Sequence, residues 1–159
     1  MPFVEVKLSD VELEKPSPVP VGDYVFQLRP GATWKENKFN QIQELNMAAS
    51  VAEGDFAGRV VFWRYPDPAG DPANGIVAKP WSAQAMKKLE ISLGVDSNEG
   101  EGAAEYFNRV ALNSVARFSG SLVPETRKNK ETGEYEPYVR EGETEPRAVF
   151  NIFSVGAAA

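Results

Sequence analysis

The chain has 159 residues, 42% of them hydrophobic, a formal net charge of −6, and neither cysteine nor histidine. That length suits one well-buried core rather than two, and the missing residue types exclude disulfides, Cys/His zinc sites, thiol nucleophiles and any triad that needs an imidazole. No apolar run approaches the roughly 20 residues of a membrane-spanning helix, and MPFVEVKLSD lacks the basic and apolar regions of a secretory signal, so a cytoplasmic protein with no membrane partner is expected.

The charge is segregated. Residues 1–18 carry two lysines against four acids, and residues 96–115 set Arg109 against Asp96, Glu99, Glu101 and Glu105. Residues 19–95 balance at eight against eight, which leaves room for local positive surface on an acidic protein.

In chain order, KPSPVP places three prolines in five positions, which rules out a helix and predicts an extended arm over residues 1–18 ahead of one domain at 19–156. In VGDYVFQLRPG, Tyr24, Phe26 and Leu28 alternate with Val25, Gln27 and Arg29, the pattern of a half-buried strand that Pro30-Gly31 stops. A polar loop, GATWKENKFNQ, comes next. The second strand sets Leu45, Met47, Ala49 and Val51 against Glu44, Asn46, Ala48 and Ser50, and glycines at 54 and 58 mark a tight connection to the third, RVVFWRY.

In that third strand Val60 and Phe62 share a face with Arg64, while Arg59, Val61, Trp63 and Tyr65 share the other. The first face reads as core with Arg64 escaping at its end. The second mixes a cation with aromatics and suits stacking on bases of a single strand; the alternative is that Trp63 and Tyr65 pack beneath a neighbouring loop or the arm.

A Pro- and Gly-rich loop containing Asn74-Gly75 leads to a helical insert at about 81–112. Its first helix has Ala85, Met86, Leu89 and Leu93 on one face, Ser82 as N-cap and Gly94 as stop. In the second, Ala103, Tyr106, Phe107 and Val110 form the apolar face. ARFSGSLV returns to strand, a hairpin at about 124–141 turns around Thr132-Gly133, and RAVFNIFSV reads as a final strand.

Three strands, a helical insert, then two strands with a projecting hairpin fit a mainly β architecture: a five-stranded Greek-key barrel of the OB type with a helical insert between strands three and four. In that fold the loops after strands one and four flank the binding face of strands two and three. The first holds Trp34, Lys35, Lys38 and Phe39; the second holds Arg127, Lys128, Lys130, Tyr135, Tyr138 and Arg140. With Arg59, Trp63 and Tyr65, and with Arg117 on the polar side of ARFSGSLV, these are the candidate single-stranded-DNA-binding residues. Lysines and arginines in hairpin loops also serve solubility and edge protection.

PVGDYVFQL, VAEGDFAGRVVF and AMKKLEISLGV together resemble a family of small phage and prophage proteins that is similar to single-stranded DNA-binding proteins encoded near recombination and replication genes. The resemblance covers roughly residues 19–123 and implies an OB-fold protein that coats single strands during DNA replication, recombination or repair. It places Arg59, Trp63 and Tyr65 on the likely binding strand. Many single-strand binders end in an acidic tail that recruits partners, whereas this chain ends FNIFSVGAAA and carries its acidic stretch, EGETEP, before the last strand.

The expected activity is non-catalytic, with no cofactor or metal. Its partner is single-stranded DNA, and phage or host replication proteins and a homo-oligomer remain open as others. Three alternatives stand beside it. A phage structural or assembly β-barrel would bind no nucleic acid. A carbohydrate-binding barrel would stack its aromatics on sugars. An enzyme would have to draw on the loop carboxylates Asp67, Asp71, Glu99 and Glu101.

Overall fold

Alternating apolar residues drive the first half of the chain into antiparallel strands, and a computed structural model, which describes residues 18–113 and 116–158, assembles them into one curled sheet. Strand β1 (Gly22–Leu28) buries Phe26 and Leu28, and after Pro30-Gly31 the chain resumes as β2 (Thr33–Glu36). Strand β3 (Gln43–Val51) buries Leu45, Met47, Ala49 and Val51, and β4 (Val60–Pro66) pairs along it. Helices α1 (Pro80–Leu93) and α2 (Ala103–Asn113) follow. Strand β5 (Arg117–Pro124) returns to the sheet beside β1, while β6 (Thr126–Lys128) and β7 (Tyr135–Pro137) form a separate ribbon. The short strands β8 (Ala148–Phe150) and β9 (Gly156–Ala157) both pair with β5.

Across the sheet the order is β4, β3, β1, β5, β8, with β2 continuing β1 along the same edge of β3. Every pairing is antiparallel. Twist curls a sheet of this width, so that its two outer strands approach: the Trp63 ring on β4 and the Phe150 ring on β8 have centroids 4.3 Å apart. The result is a mainly β half-barrel with two helices. Its interior is aromatic, with Phe26 stacked on Phe118 at 5.5 Å and edge-on to Phe150 at 5.6 Å.

The helices join this core by the faces their periodicity predicts. Helix α1 buries Ala85, Met86 and Leu89, and α2 buries Tyr106, Phe107 and Val110. Gly94, at φ 72, ends α1 in the left-handed conformation that glycine adopts without penalty. Ser82 differs from its expected role as N-cap. The N-cap position is Lys79, three residues earlier, with Pro80 opening the first turn, and the buried Ser82 hydroxyl donates to the Pro66 carbonyl at 2.6 Å, tying α1 to the end of β4.

Two further expectations change. The polar loop after β1 contains a strand: Thr33–Glu36 is exposed throughout but pairs in register with β3. RAVFNIFSV is not one strand, because Asn151 turns the chain through its own side chain and carbonyl to Phe153 and Ser154 before β9. The expected arm lies outside the described residues except for Pro18.

Candidate nucleic-acid interface

The faces of β4 are the reverse of the sequence expectation. Trp63 is 7% and Tyr65 0% exposed, facing Met47 and Leu45 across the ladder, whereas Phe62 is 75% exposed and Arg64 points to solvent beside it. The charge position explains why. Burying Val60 and Phe62 would drag Arg64 inward without a buried partner, which is prohibitive, while the opposite set has its only cation, Arg59, at the strand's entrance. The two large rings also fill the space beneath the helices: Tyr65 stacks on Phe107 with centroids 6.5 Å apart, and Trp63 meets both Phe118 and Phe150. Burial pushes the Tyr65 phenol far above its ordinary range. Trp63 and Tyr65 are therefore core residues, and Arg59 is half-buried on their side.

The outer face of the sheet carries the exposed chemistry. The ladder registers set Thr33, Asn46 and Arg64 in one row, and Lys35, Glu44 and Pro66 in the next. Arg29, whose N–H donates to the Ala48 carbonyl at 3.0 Å, shares a row with Ala48 and Phe62. Arg117, Gln27, Ser50 and Val60 form the row beyond. A groove of about 500 Å³ runs between the Arg29–Lys35 stretch and Phe62, floored by Asn46 and Ala48. Arg29, Lys35, Arg64 and Arg117 are all exposed. The half-buried carboxylate among them, Glu44, pairs with Arg64 at 3.5 Å and accepts from the Asn37 amide at 3.1 Å. At the far end of β1 the same face turns acidic, where Asp23, Glu53 and Asp55 line a shallow depression.

Of the expected site residues, this face unites Lys35 and Arg117. Trp34 lies on the opposite side of the sheet, in the row of Leu45 and Tyr65, and is partly exposed at its edge. Lys38 and the fully exposed Phe39 occupy the tip of the β2–β3 hairpin, where the Phe39 N–H donates to Asn37 Oδ1 at 2.9 Å. The ribbon leaves the sheet at the other end, from the terminus of β5 beside the start of β1. Within it the Arg127 guanidinium sits 4.0 Å over the Tyr138 ring, and Arg140 grips Glu125 through two bonds of 2.9 and 2.8 Å. These two cations are engaged internally, and the Arg140 contact holds the Glu125 carboxyl below its usual range. Lys128, opposite Tyr135, and Lys130 are exposed.

Sequence reading missed Arg29, Phe62 and Arg64. The signal was available: an arginine in the middle of an otherwise apolar strand identifies which alternate set faces water.

Three of the four loop carboxylates have local structural partners. Asp67 Oδ1 accepts from the Ala69 N–H, Asp71 Oδ2 accepts from the Asn74 amide, and Glu101 is paired with Arg109. Among the described residues no helix is long and apolar enough to cross a membrane. No protein-family model matches the chain, and no curated protein matches it.

Proposed function

We propose that this chain is a non-catalytic single-stranded DNA-binding protein whose outer sheet face, across β2, β3 and β4, receives the strand. The carrying observation is Phe62: a phenylalanine left 75% exposed in mid-strand, with Arg29 in its own row and Arg64 and Thr33 in the next. An exposed ring stacks on any base, and the surrounding cations follow the phosphates. The fold supports the reading: a curled antiparallel sheet with a helical insert between β4 and β5 is consistent with an OB-type barrel, a fold whose face of strands two and three binds oligonucleotides. The acidic depression at Asp23 and Glu53 directs the strand across the sheet near the β2–β3 hairpin rather than along β1. The sequence resemblance supplies the setting: coating of single strands during phage DNA replication, recombination or repair in the host cytoplasm.

The test is fluorescence anisotropy of a labelled oligothymidylate titrated with the protein, repeated with duplex of equal length and at two salt concentrations. Preferential binding of the single strand, weakening as salt rises, is expected. Equal indifference to both DNA forms at low salt would remove this function. A second reading, a structural or assembly barrel, draws on the exposed Trp81 and Phe153, whose rings lie 6.1 Å apart, and predicts self-association without DNA.

A further inference from the structure

One wall of the outer-face groove is an irregularity in the strand. The ladder runs regularly to Arg29, opposite Ala48, and resumes at Thr33, opposite Asn46, so Pro30, Gly31 and Ala32 stand against Met47 alone. Two extra residues on one strand bend it and re-aim its neighbours. Gly31 takes φ 109, which favours glycine.

The insertion takes the N–H groups of Gly31 and Ala32 out of the ladder. Asn108, on α2, satisfies them. Its Oδ1 accepts from both at 2.8 Å, and its Nδ2 donates to the Ala32 carbonyl at 2.9 Å. Asparagine suits this task because one amide offers two acceptor sites and two donors; aspartate could accept both N–H groups but would set a charge against the Ala32 carbonyl, and alanine would do neither. One half-buried side chain thus ties the helical insert to the stretch that bears Arg29 and Lys35.

We infer that Asn108 is a positioning residue for the outer face. It holds the bulge in the shape that sets Arg29 across the groove from Phe62, without contacting nucleic acid itself. This rests on the proposed function of that face.

The experiment compares wild type, Asn108→Ala, Arg29→Gln and the double variant as full chains in the oligothymidylate titration, with thermal melting alongside. Arg109→Ala is the control: it lies in the same helix and loses an ion pair with Glu101 but touches no part of the bulge. Asn108→Ala is expected to weaken binding about tenfold while still folded, and Arg109→Ala to lower the melting temperature with affinity retained. In the Arg29→Gln background the Asn108 substitution should add less than about twofold, because coupled residues are non-additive. Wild-type affinity in folded Asn108→Ala, or independent multiplication of the two effects, would overturn the inference while leaving the proposed function standing. Should Asn108→Ala fail to fold, Asn108→Asp, which keeps both accepted bonds, replaces it with an intermediate loss expected and wild-type affinity overturning the inference. A wild-type protein that binds no oligothymidylate overturns the proposed function and this inference together.

Discussion

Trp63 and Phe150 close the curled sheet: their centroids lie 4.3 Å apart, with ring planes inclined 31°, although among the described residues no backbone ladder joins their strands. Side-chain packing carries the direct contact across this seam. Both rings are buried in the core, so their removal acts on stability. Trp63→Ala is expected to destabilise the fold by about 3–5 kcal/mol, and Trp63→Phe by clearly less because a ring remains against Phe150. Urea denaturation checks the order. A near-neutral Trp63→Ala would mean that the seam carries little of the fold's stability.

Gly120 governs the same cluster from below. It is buried in β5 opposite Tyr24, and a Cβ there would lie 2.9 Å from the Phe150 ring and 3.2 Å from the Phe26 ring. Phe150 is wedged between Trp63 and this glycine and cannot swing away without opening the seam. Gly120→Ala is therefore expected to cost about 1–3 kcal/mol through overpacking, despite the modest gain an alanine usually brings by restricting the unfolded chain. Equilibrium denaturation of the single variant decides the sign.

Phe62 gives the opposite profile. Truncation of an exposed ring leaves no cavity, so Phe62→Ala should retain the melting temperature to within a few degrees, while losing about 1–3 kcal/mol of single-strand affinity if a base stacks there. Arg64→Gln should weaken binding more gently and flatten the dependence of log affinity on log salt by about one phosphate contact. Anisotropy titrations at several salt concentrations separate the two. An unchanged affinity in Phe62→Ala would remove the ring from the site.

The contrast between Trp63 and Phe62 shows how far the fold is legible in the sequence. Strands such as β1 and β3 declare their faces because Leu45, Met47, Ala49 and Val51 alternate with polar or small residues. Strand β4 offers apolar residues on both faces, so hydrophobicity alone leaves it ambiguous, and only the cost of burying Arg64 breaks the tie. Strand β2 is hidden because all of TWKE is exposed and its pairing depends on β3 rather than on its own composition. The helices were legible by period. Asn108 was not, since nothing local to YFNRV announces bonds to a bulge more than seventy residues away.

Glu101 supplies a pH dependence. The Arg109 guanidinium, bonded to it at 2.7 and 2.9 Å, together with the Asn98 N–H at 3.0 Å, holds its carboxyl down at about 2, well below the ordinary 4.5. A folded-state value below the unfolded one means that the unfolded chain binds the proton first. The contribution to stability is therefore complete above about pH 5 and declines as pH falls from there toward 2. The carboxylate also anchors the loop ahead of α2, because Arg109 donates to the Asp96 carbonyl at 3.1 Å as well. Glu101→Gln should thus lower the melting temperature near neutral pH, and its deficit relative to wild type should shrink steadily as the pH is brought below about 4. Melting curves of both proteins across that range test this directly. A deficit that stays constant with pH would show that the Glu101 carboxyl is not held below its unfolded value.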